Sequence, residues 1–395
     1  MTARQAATAN IAVTRLMLTD FRCYESLRLD LDAARPVVLT GPNGAGKTNL
    51  LEAVSLLAPG RGLRRARLAE IGRRAAGVDP DDDDDSGRPW AIAATVNAAG
   101  EAVEIGTGVV EAGTNRRVVR IDGSDAPSQS ALGAWVRVVW LTPEMDRLFS
   151  AGAAERRRFI DRLVAGFDAA HAESLTGYER AMRERTRLLR NSRGGGRADP
   201  SWLAALEDRM ARNGVAVAAA RLAFVARMNM ACKLGVGPFP AAELRIDGEI
   251  ETLLDTLPAL DAEDRARDRL AANRARDREA GRAVFGAHRS DPICRHVAKN
   301  MTARHCSTGE QKALLISIVL ANIRLQALER GIAPLVLFDE IAAHLDRDRR
   351  VALFDEIRAS GAQAWMTGTD EASFAPLADR AQFFRISDAQ LAATQ

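Results

Sequence analysis

At 395 residues the chain is too long for one small domain, so two lobes or a domain with a large insertion are expected. Hydrophobic residues make up 47%, enough for a packed core, and a net charge of +3 leaves the choice of partner to local charge, not to the total. Cys23, Cys232, Cys294 and Cys306 form no CxxC pair, which argues against a zinc ribbon or disulfide framework and fits a reducing cytoplasm.

Met1–Ile11 lacks the basic-then-apolar layout of a signal peptide. The most apolar run, Ala313–Leu320, falls short of the ~20 residues that cross a bilayer, so a cytoplasmic protein with no membrane partner is expected. Apolar patterning predicts strands at Thr14–Leu18, Ser26–Leu31 and Val37–Leu39, then a glycine-rich loop and a helix over Asn49–Leu57. Asp79–Asp85 with Ser86–Gly87 reads as a surface loop. Short strands follow at Ala91–Val96, Val103–Gly106 and Arg117–Ile121, with a turn at Asp122–Gly123 and a further strand at Val136–Trp140. From Ala153 to Leu234 the spacing is helical, broken once at Arg193–Arg197, the expected tip of a helical hairpin. Alternating charges over Asp261–Glu279 predict an exposed helix. After Phe285 strands and helices alternate again, ending in the apolar strand Leu335–Phe338. The simplest account is an α/β fold, with lobes at 1–147 and 285–395 interrupted by a helical insertion lobe at 148–284.

Gly41, Pro42, Asn43, Gly44, Ala45, Gly46, Lys47 and Thr48 match the phosphate-loop pattern G-x-x-x-x-G-K-[ST] between a predicted strand and a predicted helix. The glycines let backbone N–H groups turn inward onto phosphate oxygens. Lys47 adds a point charge, the Thr48 hydroxyl is a ligand for Mg²⁺, and the helix start adds its partial positive charge. ATP with Mg²⁺ is the expected cofactor. Leu335–Phe338 runs into Asp339 and Glu340. An apolar strand ending in acids is common by itself. Paired with a phosphate loop, Asp339 is expected to hold the metal beside Thr48 and Glu340 to act as the catalytic carboxylate with Lys47. Ser307, Thr308, Gly309, Glu310 and Gln311 open another helix. Ser307 and Glu310 have capping-box spacing, while the same residues at a helix N-terminus also suit an anion; spacing leaves both readings open.

A phosphate loop, a Ser-x-Gly-x-Gln segment, an apolar strand ending Asp-Glu and then Leu345-Asp346 together resemble an ABC-type ATPase head, a P-loop NTPase. Within that class the chain resembles the RecF family of bacterial replication and repair ATPases, through Leu18–Arg22, Gly41–Ala53, Thr142–Glu144, Glu155–Asp161, Gly286–Asp291 and Ser307–Leu315. Three departures stand out: Ala287 where the family has Pro, Ala342–His344 before Leu345, and no histidine after the strand Gln363–Met366, where Thr367 or Thr369 takes the place. The resemblance implies that Arg22 and Asn49 join the nucleotide site. It further implies that Ser307, Thr308, Gly309 and Gln311 reach ATP held by a second copy, with Asp346 at the seam of an ATP-dependent homodimer. Double-stranded DNA, gap junctions and recombination mediator proteins are the partners it implies, for a weak ATPase acting as a DNA clamp that assists recombinase loading.

Two basic clusters suit phosphate contacts with DNA, although each also has the composition of a solvated helix face. One contains Arg61, Arg64, Arg65 and Arg67 and continues to Arg73 and Arg74. The other, from Tyr178 to Arg197, includes Arg183, Arg187 and Arg190 and has seven arginines against two glutamates. His288-Arg289 reads as a pin for a strand junction or as a contact to nucleotide or DNA, with the structural role favoured. The rivals are a short SMC- or Rad50-like ATPase and a transporter nucleotide-binding subunit. An insertion of about 130 residues gives a hairpin arm of at most ~100 Å at 1.5 Å per residue, which excludes long cohesin-like arms.

Overall fold

The computed structural model describes residues 9–74, 87–114, 116–191, 199–342 and 345–394. In chain order these form β1 (Ala9–Phe21), β2 (Tyr24–Asp30), β3 (Val37–Thr40), α1 (Lys47–Ser55), α2 (Leu68–Ile71), β4 (Trp90–Ala98), β5 (Glu101–Val109), β6 (Val118–Ile121), β7 (Ser124–Asp125), β8 (Val138–Leu141), α3 (Ala153–Ala165), α4 (Ala169–Asn191) and α5 (Pro200–Lys233). The remainder comprises β9 (Ala242–Asp247), α6 (Glu249–Leu254), α7 (Ala259–Ala272), α8 (Arg274–Ala280), β10 (Asp291–His296), β11 (Met301–Thr302), α9 (Thr308–Arg330), β12 (Ile332–Ala333), β13 (Leu335–Phe338), α10 (Arg347–Ser360), β14 (Ala364–Gly368), β15 (Gln382–Ser387) and β16 (Gln390–Thr394).

Two compact units emerge. The first takes residues 1–145, 236–238 and 319–395; the second takes 146–235 and 239–318. The expected boundary at 284/285 is therefore displaced to 318/319. The reason is strand pairing: β10 lies antiparallel between β9 and β11, so residues after 285 complete a three-stranded sheet within the second unit. That unit is consequently not purely helical. The expected loop at Asp79–Asp85 with Ser86 and the hairpin tip at Arg193–Arg197 lie outside the described residues.

In the first unit, β3, β13 and β14 are buried along their whole length, which accounts for their unbroken apolar sequences. They belong to a six-stranded sheet ordered β16-β15-β3-β14-β13-β8, parallel except for β16. A second sheet, antiparallel apart from the short β12 pairing, is built on β1 and has alternating burial, as a half-covered sheet should. Leu50, Leu51, Val54 and Leu57 share one core cluster with side chains of both sheets. Each such side chain contributes about 1.5–3 kcal/mol on burial, so α1 is held firmly at the end of β3.

In the second unit the single predicted helical break becomes two. α3 ends at Gly166, and the Asp168 carboxylate accepts from the Ala170 N–H to start α4. The expected exposed helix at Asp261–Glu279 is instead α7 and α8, with Ala262, Ala266 and Leu270 in the core and Asp277 buried against Arg185. α5 and α9 each contain an 18-residue window apolar enough to match a membrane span by length and composition, contrary to the shorter run expected. In α9, 78% of that window is buried within the protein, as in the core helix of a globular fold.

The second unit is organised around buried charge. Arg221 donates to both oxygens of Asp161 (2.7 and 2.8 Å) and to the Ala287 carbonyl, and His171 Nε2 lies 3.0 Å from Asp161. Arg156 donates to both oxygens of Asp291, and Arg157 to the Ser290 carbonyl. Two separate sequence segments, Glu155–Asp161 and Gly286–Asp291, thus form a single polar junction. Burial opposes ionisation of Asp161, yet the hydrogen bonds from His171 and Arg221 outweigh it and hold the carboxyl below its ordinary range. Removing one partner strands a buried charge. Arg221→Met is expected to cost about 3–5 kcal/mol in urea unfolding. A loss within experimental error of zero would show that the junction does not hold the unit together.

Candidate functional site

The carboxyl ends of β3, β14 and β13 lie side by side, and the loop after each supplies polar groups. Such sheet edges are where open parallel folds bind ligands. β3 leads into the glycine-rich loop. Gly41 has φ +145°, and a Cβ there would lie 2.1 Å from the Ile386 carbonyl oxygen. Gly46 has φ +111° and would press a Cβ to 2.6 Å from the Tyr24 hydroxyl. Neither position tolerates a side chain, so the loop's curvature is set by packing as well as by backbone freedom. Pro42, Asn43 and Gly44 are exposed, while Ala45 tucks into the core. α1 begins at Gly46 without a side-chain cap. Its first N–H groups are therefore available to an anion.

Lys47 is 4% exposed, and its ammonium donates to the Gly41 and Pro42 carbonyls (2.8 and 2.9 Å) across the loop. It stands 3.7 Å from Glu340 Oε1. The Thr48 hydroxyl lies 3.0 and 3.1 Å from the two oxygens of Asp339. Thr367, fully buried in β14 between the other two strands, donates to Asp339 Oδ1 (2.7 Å) and accepts the Glu340 N–H (2.8 Å). Glu340 itself has φ +51°, a left-handed conformation uncommon for a non-glycine residue. Its hydrogen bond to Thr367 holds it there. Of the two threonines weighed for the place after the strand, Thr367 makes these contacts and Thr369 is exposed.

The structure thus brings Lys47, Thr48, Asp339 and Glu340 together, although the Thr48 and Asp339 that touch are 291 positions apart in sequence. Arg22 is not on the loop. Its guanidinium makes a bidentate pair with Glu52, which is 1% exposed, and donates to the Glu70 carbonyl, because the buried carboxylate on α1 needs a counter-charge. Asn49 accepts from Arg64 (2.8 Å) and donates to Cys23 Sγ (3.1 Å). Sequence spacing gave no sign of Glu52, because a glutamate at a helical position reads as surface.

At the start of α9 the capping box is formed. The Ser307 N–H donates to Glu310 Oε2 (2.9 Å), the Ser307 hydroxyl lies 3.0 Å from the same oxygen, and Lys299 pairs with Glu310. Ser307, Thr308 and Gly309 are exposed. Gln311 faces inward, 5% exposed, bonded to Ser150 and to the Cys306 carbonyl, because one helical turn after Ser307 it falls on the core face. Asp346 caps α10 through the Arg349 N–H; Ala343 and His344 before it lie outside the described residues.

Of the arginine candidates, Arg64 is tied to α1 as above, Arg67 pairs with Glu70, and Arg61 reaches the Ala66 carbonyl at 3.4 Å. Arg65 has φ +57°. In the second cluster Arg185 is fully buried between Glu207 and Asp277 and is no surface group. Arg183, Arg187 and Arg190 lie on the exposed face of α4.

The chain matches the family described as RecF/RecN/SMC N terminal domain over residues 12–389. It is 50% identical over 381 residues to the DNA replication and repair protein RecF of Rhizobium rhizogenes, covering 95% of this chain and 97% of that one. The RecF protein of Caulobacter vibrioides is 48% identical, with 97% and 98% covered. The chain belongs to the RecF family. A solved structure of the recombination mediator protein RecF-ATPrS in the RecFOR pathway superposes with a TM-score of 0.84 at 19% identity, covering 98% of this chain and 100% of that one. The Smc head domain from Pyrococcus furiosus gives 0.53 at 15% identity, with 97% and 96% covered. Both likenesses bear on fold, and with the family match they give this RecF-family chain the ABC-type P-loop head fold.

Thr367 is the hinge of the site's polar geometry. Thr367→Val leaves Asp339 Oδ1 with the Thr48 hydroxyl alone and the Glu340 N–H without its partner, and is expected to cost about 1–3 kcal/mol in chemical denaturation. Thr367→Ser should restore most of it. Equal stability of the valine and serine variants would remove the hydroxyl from this account.

Proposed function

We propose that this RecF-family chain is an ATP-dependent DNA-binding protein of recombinational repair and replication-fork maintenance, a clamp that closes as a homodimer on ATP. The observation that carries it is the convergence of Lys47, Thr48, Asp339 and Glu340 beside an uncapped helix N-terminus.

The donor set fits Mg²⁺. A hydroxyl and a carboxylate are hard oxygen ligands, and Mg²⁺ commonly takes only one or two protein side chains, with phosphate oxygens and water completing its octahedron. Among the described residues there is no cluster of three metal-ligating side chains, so any metal here depends on the nucleotide. Mg·ATP supplies the γ-phosphoryl group for transfer to water. Lys47 neutralises phosphate charge, the loop and first turn of α1 donate N–H groups, Thr48 and Asp339 hold the metal, and Glu340 orients the attacking water. Asn49 lies beside this site, and Arg22 supports it through Glu52. Hydrolysis is slow and times release.

Ser307, Thr308 and Gly309 are exposed at a helix N-terminus and suit contact with ATP on a second copy, with Gln311 bracing that turn from within and Asp346 near the seam. The reading places the protein in the cytoplasm, on duplex DNA at gap junctions, assisting recombinase loading with recombination mediator proteins. The wording of its relatives' names, DNA replication and repair, supports this role.

Glu340→Gln is expected to bind ATP and accumulate as a dimer in sizing experiments with excess ATP and Mg²⁺, with hydrolysis reduced on the order of 10²-fold or more. A variant that stays monomeric under those conditions would contradict the composite site. Arg64→Glu with Arg65→Glu is expected to weaken duplex binding, with ATP affinity measured alongside because Arg64 also holds Asn49 beside the phosphate loop. Identical DNA affinity across a salt series would rule out that loop as a contact.

A further inference from the structure

A hollow of about 420 Å³ in the second unit is lined by Arg183, Arg187 and Arg190 of α4 and by Arg282, His288 and Arg289 from a segment a hundred residues later. No carboxylate is among its lining residues. Among the described residues Arg187, Arg190, Arg282 and Arg289 enter no ion pair, whereas the neighbouring Arg185, on the other face of α4, is matched by Glu207 and Asp277. Of the arginines lining the hollow, Arg183 is paired with Glu179 on its own helix at 3.4 Å, whereas the other four face the hollow without a counter-charge among the described residues.

The second wall is rigidly built. Gly286 has φ +134°, and a Cβ there would meet the Tyr178 hydroxyl at 2.0 Å. His288 Nδ1 lies 2.6 Å from that hydroxyl and Nε2 lies 3.0 Å from the Ala283 carbonyl. The carbonyl can only accept, so Nε2 carries the proton and Nδ1 accepts from tyrosine. Burial, with the charges of Arg157 and Arg289, keeps the imidazole pKa below its ordinary value. Arg221 and Arg157 hold the Ala287 and Ser290 carbonyls on either side. His288 is thus the pin, and Arg289 is the group the pinned turn presents.

We propose that this hollow is a backbone-phosphate site for duplex DNA, in which Arg187 and Arg190 on one wall and Arg282 and Arg289 on the other contact successive phosphates, with His288 as a positioning residue. The proposal rests on the DNA-binding reading above and adds a second wall to it. From Arg183 to Arg190 α4 rises about 10.5 Å, the axial length of about three phosphates on one strand. No Phe, Tyr or Trp lines the hollow to stack an unpaired base, and the His288 ring is pinned by Tyr178 and the Ala283 carbonyl, which favours a duplex over a single strand.

The test is fluorescence anisotropy of the full chain with a mixed-sequence duplex over a salt series, for the wild type, Arg282→Ala/Arg289→Ala and Arg289→Lys. Both arginines are exposed, so folding should be preserved, and thermal unfolding checks it. The double variant is expected to bind at least about tenfold more weakly. Its slope of log K against log salt should fall by about 1.8, since each neutralised phosphate contributes about 0.9. Arg289→Lys should keep the wild-type slope. Weaker binding with an unchanged slope, or unchanged affinity in the double variant while the wild type binds, overturns the hollow as a phosphate site and leaves the DNA reading standing. Failure of the wild type itself to bind duplex removes both.

Discussion

A carboxylate at the end of a buried strand must be hydrogen-bonded or paired, and Asp339 meets that demand by drawing three parts of the chain to one point. Thr48 reaches it from the first turn of α1 and Thr367 from β14. Thr367 also takes the N–H of Glu340 and so holds that residue in its left-handed conformation. The order of the central strands, β3-β14-β13, makes this possible, because β14 lies between the strand that feeds the phosphate loop and the strand that ends in the two acids. Polar groups placed in this way need no flexible side chain to travel far. Preorganisation comes from the sheet.

The second unit answers the same physical problem differently. It buries whole ion pairs: Arg221 with Asp161, and Arg185 with Glu207 and Asp277. Such pairs contribute little net stability compared with apolar packing, but a wrong arrangement would leave a charge stranded, so they select one packing over others. The segments that carry much of the RecF resemblance, Glu155–Asp161 and Gly286–Asp291, meet at one of these junctions. Ion pairs and backbone hydrogen bonds fix the geometry of both segments, and His288 and Arg289 are the members of the second that line the arginine-rich hollow.

Much of the candidate nucleotide site was legible in advance because its signals are local. The loop pattern from Gly41 to Thr48, the apolar strand before Asp339 and the capping-box spacing at Ser307 each depend on a few adjacent residues, and each appears where expected. Arg22 and Gln311 read differently in three dimensions. Both types of side chain are polar in sequence, and only the surrounding fold decides that one neutralises buried Glu52 and the other braces Ser150. The displaced boundary at 318/319 has a non-local origin, since antiparallel pairing of β9 with β10 links residues far apart along the chain, whereas the extra helical break at Gly166 is local.

The amino-acid sequence by itself determined the α/β class, the phosphate loop and the strand ending in Asp339-Glu340, because hydrophobic period and glycine placement are properties of neighbouring residues. Tertiary structure decided which charges face one another. It joined Thr48 to Asp339 across 291 positions, put Thr367 of β14 against Asp339 and Glu340, and set Arg282 and Arg289 opposite Arg187 and Arg190 with no carboxylate lining the hollow between. Hydrogen bonds and ion pairs depend on distance and burial, which no spacing along the chain encodes.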